Sequence, residues 1–511
     1  MRKFKKQLTT LLAAALVTVS FSGYVPNAWA TPTILAGSGA TVASTNSQGT
    51  PKYIFLFIGD GMSYPQIQSA AYYQGAKASD GGVQAQKLSF MNFPVAGSAQ
   101  TYDSTSFCPD SASTATSIST GNKTYSGTIN MDTSMTQKYE TIAEKLKAQK
   151  GYKIGVVSTV NLNHATPAAF YAHQSSRNSY YEIGQEMIAS DFDYFAGGAL
   201  LRPTGSDKDQ ESIYDLAAAQ GYKVIKNQAE AEKLKAGDGK AILIDEHLAD
   251  ADAMSYALDT NHGEWTLSNY VSKGIELLDN DNGFFMMVEG GKIDWACHAN
   301  DAGSSINDTI ALSDAVSAAV DFYNQHPDDT LILVTGDHET GGLSVGFAGT
   351  NYDTYLDNMQ NQVISYAKFD ADYVARYKAN HTPFSEVLKD IKANFGLRTA
   401  ADADAANYQN LVLTDYEYKR LEAAYNRTLA TGASSKSNMS QEEYVLYGTY
   451  EPLTVTITHI LNNKSGISFT SYSHTGLPVP VFAIGSGSGN FRGYYDNTDI
   501  FKKVAAMTGV N

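Results

Sequence analysis

Continuous apolar runs of four to six residues recur along the chain, and most of them end at a glycine or an acid. A run of this kind is typical of a strand buried on both faces of a parallel sheet. The runs lie at 53–58, 153–158, 241–244, 284–288, 330–335 and 479–484. Helical patterns alternate with them, for example at 139–149 and 306–320. The alternation predicts an α/β fold with a large, mostly parallel central β-sheet flanked by helices on both faces.

Residues 349–470 do not follow this alternation of strands and helices. Thirteen tyrosines lie between positions 349 and 472, and helical patterns occur near 383–395 and 416–424. Such tyrosine enrichment indicates either an interface or ordinary packing. We therefore expect an α/β catalytic domain at 51–348 and 471–511, interrupted by an inserted subdomain at 349–470.

The first thirty residues have the pattern of a secretory signal peptide. Arg2, Lys3, Lys5 and Lys6 precede an apolar stretch at 11–21, and small residues flank Trp29. An uncleaved membrane anchor is the alternative, although the apolar stretch is short for a span. Residues 31–50, rich in Thr, Ser and Gly, are expected to form a flexible lead. The pattern predicts an exported protein, periplasmic or secreted.

The net charge of the chain limits which partners it can bind. The 511 residues carry a formal net charge of −16, and removal of residues 1–30 would leave −20. With no basic stripe, such a surface repels nucleic acid, and no segment after the leader is apolar enough to span a membrane. Only two cysteines occur, Cys108 and Cys297. The fold therefore does not depend on a disulfide framework, and whether these two pair is left open.

Potential metal ligands follow three of the predicted strands. Asp60 comes after the first run, Glu289 after the 284–288 run, and Asp337 and His338 after the 330–335 run. Ligands bind at the carboxyl ends of strands in open α/β sheets, so we expect these side chains to meet at one edge.

Ser111 is predicted to open a helix in the run 108–116. Unpaired N–H groups and the positive end of the helix dipole point outward at such a position, which suits phosphate binding. A serine among metal-type ligands suggests phosphoryl transfer on divalent ions.

Further candidate ligands are spaced for a shared centre. Asp294 and His298 lie four residues apart and would share a helix face, although a surface ion pair is the alternative. His474 precedes the last predicted strand, where a lone histidine is more often structural. Glu339 follows His338 as either a supporting acid or a solvated one. Oxygen and nitrogen ligands without thiolate fit zinc, magnesium or manganese, in numbers that suggest two or three ions.

Two residues suit the phosphate itself or its surroundings. Arg177 can grip two phosphate oxygens with its planar fork, and a solvated arginine is the alternative. Thr166 precedes Pro167, which can simply start a helix.

Taken together, these motifs resemble those of the alkaline phosphatases. The similarity runs from Lys52 to Gly342 and resumes from Tyr472 to Ile484, with the motifs in the order of that family. The motifs are at 58–62, 110–112, 165–168, 289–290, 294–298, 337–338 and 474–476.

The resemblance implies a nucleophilic Ser111, a phosphate-binding Arg177, and two Zn²⁺ and one Mg²⁺ per subunit. It implies one zinc held by Asp294, His298 and His474, and a second held by Asp60, Asp337 and His338. It implies a magnesium held by Asp60, Thr166 and Glu289. It also implies a homodimer that hydrolyses phosphate monoesters at alkaline pH.

Two positions differ from the enteric bacterial pattern, which has aspartate in place of His164 and lysine in place of Trp295. Both residues resemble the marine bacterial branch, and they are candidate substrate-binding residues. The changes bear on the affinity for the third metal and on water-mediated contacts to phosphate. The chain between His338 and His474 is also long for the family. In similar marine enzymes such an insert reaches over the partner subunit, so we expect 349–470 to contribute to a dimer contact.

We therefore predict a metal-dependent phosphate monoester hydrolase that acts through a phosphoserine. A related phosphodiesterase or sulfatase, and an exported non-catalytic protein that binds metal or phosphate, are the alternatives.

Overall fold

A ten-stranded sheet forms the centre of the computed structural model, which describes residues 49–430 and 435–511. The predicted leader at 1–30, and all but the end of the lead at 31–50, lie outside the described residues. The sheet order is β14-β2-β13-β8-β1-β7-β3-β4-β6-β5. Its strands are β1 (Tyr53–Gly59), β2 (Val95–Gln100), β3 (Lys153–Asn161), β4 (Tyr194–Gly198), β5 (Lys223–Ile225), β6 (Ala241–Ile244), β7 (Phe284–Gly290), β8 (Thr330–Gly336), β13 (Val479–Gly485) and β14 (Gly493–Asp496). Short strands β9 (Glu339–Thr340), β10 (Ser344–Val345), β11 (Ile467–Ser468) and β12 (His474–Thr475) form two small ribbons beside it.

All six predicted strands are present, and the mostly parallel sheet is confirmed. Strand β13 alone runs against its neighbours, pairing antiparallel with β8 and β2. The apolar pattern of a strand does not encode its direction. Strand β13 is antiparallel because of the chain just before it. There, β12 pairs with β9, which follows the carboxyl end of β8. The chain thus enters β13 from that edge and must run back across the sheet.

Alternate residues of each central strand pack into two separate cores. In β1, Tyr53, Phe55 and Phe57 belong to one apolar cluster, whereas Ile54 and its alternating partners belong to the other. Each cluster includes residues of helices, so both faces of the sheet are covered, as the uninterrupted apolar runs require.

The helices are α1 (Tyr64–Ala78), α2 (Ser111–Thr120), α3 (Ile142–Lys150), α4 (Ala165–Ala168), α5 (Tyr180–Ala189), α6 (Ile213–Ala219), α7 (Gln228–Ala231), α8 (Leu267–Leu278), α9 (Lys292–His298), α10 (Ala302–Gln325), α11 (Tyr366–Phe369), α12 (Ala375–Asn380), α13 (Phe384–Phe395), α14 (Asp415–Thr428), α15 (Gln441–Tyr447), α16 (Pro452–Ser465) and α17 (Thr498–Thr508). Helix α3 begins three residues later than the pattern suggested. Thr141 and Glu144 form a capping box there, and this fixes the first turn.

Helices α11 to α16 belong to the 349–470 segment. Their apolar side chains, such as Phe369, Val387 and Leu453, join the same cluster that covers one face of the sheet. The division of the chain at 348 and 471 remains a prediction. Within the described ranges, no helix is both long and apolar enough to cross a membrane.

Candidate active site

The predicted ligands meet at the carboxyl edge of the central sheet. Asp60 follows β1, Glu289 lies near the end of β7, and Asp337 follows β8, three strands that are neighbours in the sheet. All three side chains are buried. The convergence expected from the strand ends is therefore observed.

Ser111 is the first residue of α2, as expected. Asp110 caps the helix by accepting a hydrogen bond from Ser113 N–H at 3.1 Å. The Ser111 hydroxyl lies 3.1 Å from His338 Nε2 and 3.4 Å from Asp60 Oδ1. The hydroxyl thus stands at a helix N-terminus among ligand-type groups.

Asp294, His298 and His474 form a first cluster, with potential ligand atoms within 4.8 Å of one another. His298 Nε2 lies 3.1 Å from His474 Nε2 and 3.3 Å from Asp294 Oδ2. The other nitrogen of each ring faces a backbone carbonyl. His298 Nδ1 lies 2.6 Å from the Tyr472 carbonyl oxygen, and His474 Nδ1 contacts the Pro109 carbonyl oxygen. These contacts aim both Nε2 atoms at a common point, as metal-binding imidazoles are usually held.

A second cluster contains Asp60, Asp294 and His338, again within 4.8 Å. Asp337 Oδ2 is 3.3 Å from His338 Nε2, so the Asp60, Asp337 and His338 set expected from the resemblance is also close together. Asp294 stands between the two clusters. The Thr340 hydroxyl supports this arrangement, since it donates to Asp294 Oδ1 at 2.5 Å and lies 3.2 Å from His338 Nδ1.

Carboxylates crowd this edge. His298 and His474 lower the pKa of Asp294 against the effect of burial, whereas the other three carboxylates are less well compensated. Burial and then the charges of Asp337 and Asp294 raise the pKa of Asp60 well above its usual value. Burial raises the pKa of Glu289 to about 7, and burial with Asp294 raises that of Asp337 to about 8. Divalent cations at these ligands would remove that penalty.

Glu289 also has an oxygen without a partner. Its Oε2 accepts a hydrogen bond from the Ser158 hydroxyl, whereas its buried Oε1 contacts no hydrogen-bond partner. Asp60 and Thr166 lie beside it, with Thr166 Oγ1 3.4 Å from Asp60 Oδ2. An orphaned carboxylate oxygen next to a hydroxyl and a second carboxylate fits a hard cation such as Mg²⁺.

Arg177 and His164 face the same space as Ser111. Arg177 pairs with Asp110 at 2.9 Å and lies 3.4 Å from His164 Nε2. Burial and the guanidinium lower the pKa of His164 to about 3, so this ring is neutral. His164 packs edge-to-face on Trp295 with ring centroids 5.9 Å apart.

These groups line one cavity of about 340 Å³, a size suited to a small ligand. Its wall consists of Ser111, His164, Arg177, Asp294, Trp295, His298, Tyr366, Tyr450 and His474. A larger cavity of about 620 Å³ is lined by other residues, among them Glu246, Asp259 and Lys368, and none of the predicted site residues contributes to it.

Sequence reasoning missed Tyr366 and Tyr450, because nothing in the local pattern separates them from the other tyrosines of the 349–470 segment. Burial raises the pKa of both hydroxyls above the usual value, so they stay neutral in alkaline solution. Thr340 was also missed, although its position two residues after the 337–338 motif was a usable signal.

Glu339 is fully buried, which excludes the solvated alternative. It accepts hydrogen bonds from the Gln66 side chain, from two backbone N–H groups and from the Thr475 hydroxyl. Its carboxylate thus links β9 to β12, the ribbon beside His338 and His474. Cys108 is exposed and Cys297 is buried, and the two thiols are free.

Comparisons with known proteins agree with this geometry. A family model described as alkaline phosphatase matches residues 51–510. Alkaline phosphatase 4 of Bacillus subtilis (strain 168) is 29% identical over 508 residues, 98% of this chain and 96% of the relative. The crystal structure of a cold-active alkaline phosphatase from a psychrophilic Shewanella species gives a TM-score of 0.72 at 27% identity, covering 89% of this chain and 99% of that one. A mutant of the alkaline phosphatase from the Antarctic bacterium TAB5, with Mg bound in its M3 site, gives a TM-score of 0.61 at 26% identity, covering 91% and 99%.

A sheet edge that gathers a serine hydroxyl, buried carboxylates and aimed imidazoles defines a metal-dependent hydrolase. The chain belongs to the alkaline phosphatase family. It is a metal-dependent phosphate monoester hydrolase, the first of the functions that the sequence left open. The expected resemblance to marine bacterial enzymes is confirmed by the Shewanella structure.

Proposed function

We propose that the chain hydrolyses phosphate monoesters through a phosphoserine formed on Ser111. The observation that carries the proposal is the position of this hydroxyl. It opens α2, lies within 3.4 Å of both His338 Nε2 and Asp60 Oδ1, and faces the cavity that Arg177 also lines.

We assign two Zn²⁺ and one Mg²⁺ to the site. One zinc would be held by Asp294, His298 and His474, the second by Asp60, Asp337 and His338, and the magnesium by Asp60, Thr166 and Glu289. Mixed carboxylate and imidazole donors suit zinc, and the unpartnered Glu289 oxygen beside Thr166 suits magnesium. When bound, such ions lower the pKa of a coordinated hydroxyl and offset negative charge on the attacking and leaving oxygens.

Side chains and backbone groups of this chain carry out the other steps of the proposed reaction. Ser111 Oγ loses its proton to solvent and attacks phosphorus in line. The bond from phosphorus to the ester oxygen breaks on the opposite side, and the departing oxygen takes a proton from water. Arg177 and the N–H groups at the start of α2 hold the phosphoryl oxygens, over which a loose transition state spreads its charge. Water then attacks the phosphoserine from the side that the leaving group has vacated, releasing phosphate and restoring the hydroxyl.

His164 and Trp295 border the bound phosphate in this proposal. His164 Nε2 is 3.4 Å from Arg177 Nη2 and is neutral, so it can orient the guanidinium or a water beside it. Trp295 packs on His164 and closes one side of the cavity.

The test is Ser111→Ala. After brief exposure to labelled phosphate ester and an acid quench, the wild-type protein should retain label on Ser111. The variant should retain none and should lose turnover by several orders of magnitude. Arg177→Lys is a matched companion: it keeps the serine, so it should still trap label while binding inorganic phosphate more weakly. Label retained on Ser111→Ala would refute the assigned nucleophile.

We further propose that the protein is exported, to the periplasm or outside the cell, and that it acts as a homodimer to which 349–470 contributes. The basic, apolar and small-residue pattern of residues 1–30 supports export. Sequencing the N-terminus of protein recovered from the cell envelope tests the first part, and sedimentation of the wild-type chain tests the second.

A further inference from the structure

A lysine is fully buried beside the cavity of about 340 Å³ around Ser111, which we call the phosphate cavity. Lys292 is the first residue of α9, the helix that also carries Trp295. Its ammonium pairs with Asp250 and lies 3.9 Å from the ring centroid of Tyr256 and 4.5 Å from that of Trp295. A carboxylate and two aromatic faces thus compensate the buried charge. Since a buried pair of this kind contributes little to stability, another role for the ammonium is indicated.

A strained segment of backbone delivers the carboxylate partner. Ala251 and Asp252 have left-handed φ angles of 53° and 57°, which residues with a side chain rarely adopt. The Asn161 side-chain amide holds the bend by donating to the Ala251 carbonyl at 2.8 Å. Strain of this kind persists where the surrounding structure fixes it, and it clusters at functional sites. Here the bend places Asp250 against the Lys292 ammonium.

Trp295 links the ammonium to the group that binds phosphate. Its indole contacts the Lys292 ammonium and also packs edge-to-face on the His164 ring, at a centroid distance of 5.9 Å. His164 Nε2 in turn lies 3.4 Å from Arg177 Nη2. The indole, the imidazole and the guanidinium all line the phosphate cavity, whereas the lysine does not. An ammonium that holds Trp295 therefore also limits the positions of His164 and Arg177.

The ammonium also supports a second part of the cavity wall. The Tyr256 ring that it contacts is fully buried, and the Tyr256 hydroxyl donates to the Tyr366 hydroxyl at 3.2 Å. Tyr366 is the first residue of α11, in the 349–470 segment, and it lines the phosphate cavity. One buried ammonium is thus linked to wall residues from two separate parts of the chain.

In the proposed function, on which this inference rests, Arg177 binds the phosphoryl oxygens. We propose that Lys292 is a positioning residue for phosphate binding. It fixes the Trp295 indole, and the indole in turn fixes His164 and the Arg177 guanidinium. Because Lys292 does not line the cavity, it acts only through these residues. Its loss should therefore weaken the binding of phosphate and of phosphate esters more than it changes kcat.

The experiment compares Lys292→Met, Lys292→Arg and wild type in their metal-loaded forms. Methionine keeps the bulk of the side chain without its charge. The inhibition constant of inorganic phosphate and the KM for 4-nitrophenyl phosphate should each rise about tenfold, with kcat within about threefold of wild type. Arginine should restore most of the affinity, since a guanidinium pairs with carboxylate and stacks on aromatic rings. The cavity of about 620 Å³ that Asp250 and Tyr256 line leaves room for its larger head group.

A second measurement follows Trp295 directly and needs no turnover. In a Trp29→Phe and Trp265→Phe background, Trp295 is the only tryptophan of the chain. Its fluorescence anisotropy should fall in Lys292→Met, because the indole gains rotational freedom, and should return to the wild-type value in Lys292→Arg. A lysine that only stabilised the fold would not change this signal in the folded protein.

Lys240→Met is the matched control. Lys240 pairs with Asp191 and lies 4.5 Å from the ring centroid of Tyr222, so the variant also removes an ion pair and an ammonium–ring contact. Neither partner lines the phosphate cavity. Lys240→Met should leave phosphate inhibition and the Trp295 anisotropy unchanged.

Wild-type phosphate inhibition and wild-type anisotropy in Lys292→Met would overturn the proposal. Loss of bound zinc from this variant would also overturn it, because the lysine would then act through Asp294 and His298 on the same helix. If Lys292→Met does not fold, Asp250→Asn carries the test, since Asp250 is partly exposed and asparagine has the same size. It should raise the inhibition constant of phosphate about threefold, and a wild-type value would overturn the proposal. Absence of turnover by metal-loaded wild-type protein would instead refute the proposed function, and the anisotropy would still test the support of Trp295.

Discussion

Replacement of Glu339 tests whether one buried carboxylate holds together the short strands that adjoin His338 and His474. The carboxylate has no exposed surface and accepts four hydrogen bonds. The donors are Gln66 Nε2 at 2.8 Å, Leu343 N–H at 3.1 Å, Gly342 N–H at 3.1 Å and the Thr475 hydroxyl. Because Thr475 follows His474, this network joins the two histidine-bearing segments to each other and to α1.

The loss in free energy of unfolding caused by Glu339→Gln depends on how many of the four donors keep an acceptor. With the amide oxygen in the Oε1 position, the hydrogen bonds from Gln66 and Leu343 survive. The Thr475 hydroxyl can rotate and accept from the new NH₂ group, but Gly342 N–H then faces a donor. One unpaired buried donor costs about 1–3 kcal/mol, so the free energy of unfolding should fall by about 2 kcal/mol. Glu339→Ala takes the acceptor from three donors, the N–H groups of Gly342 and Leu343 and the Thr475 hydroxyl. Gln66 Nε2 keeps its hydrogen bond to the Thr340 carbonyl, so we expect a loss of at least about 3 kcal/mol.

The assay is denaturant unfolding of the metal-loaded protein, followed by the rate of zinc release to a chromogenic chelator. Both variants should release zinc faster than wild type, with alanine the faster of the two. Glu386→Gln is the matched control, because Glu386 forms an exposed i,i+3 pair with Lys389 and should change stability by less than about 1 kcal/mol. Wild-type stability and wild-type zinc release in Glu339→Ala would refute this reasoning.

Three further outcomes are expected. His173 pairs with Glu144 and Glu186, which raise its pKa to about 9 against the effect of burial. Since the folded-state pKa lies above the unfolded value of about 6.5, the pair stabilises the fold fully below pH 6.5, and the gain is lost as the pH rises through 9. His173→Gln should therefore cost about 3 kcal/mol at pH 6, and a pH-independent cost in denaturant titrations would contradict this. Chelation should abolish hydrolysis of 4-nitrophenyl phosphate, and zinc with magnesium should restore it, whereas full activity after dialysis against chelator would exclude the metal assignment. A thiol reagent should titrate Cys108 in native protein and Cys297 only after unfolding. Burial shields the Cys297 thiol from the reagent and raises its pKa. Two reactive thiols in the native state would count against the described packing.

Local pattern was enough for much of the fold. The six apolar runs became strands of one sheet because side chains buried on both faces must be apolar throughout, and this leaves a clear signal in the sequence. The i,i+4 spacing of Asp294 and His298 placed both on one face of α9 for an equally local reason. The direction of β13 had no such signal, since it depends on where the preceding chain enters the sheet.

The sequence alone determined which residue types end the strands and open α2, and therefore the kind of chemistry that the sheet edge can support. Only the tertiary structure decided how those residues combine. Thr340 holds Asp294 and His338. Glu339 joins two strands whose starting positions are 135 residues apart, and Tyr366 and Tyr450 form part of the wall of the phosphate cavity. The physical reason is that strand and helix propensities act over a few neighbouring residues. Hydrogen bonds and ring contacts between segments far apart in the chain exist only after the sheet has brought those segments together.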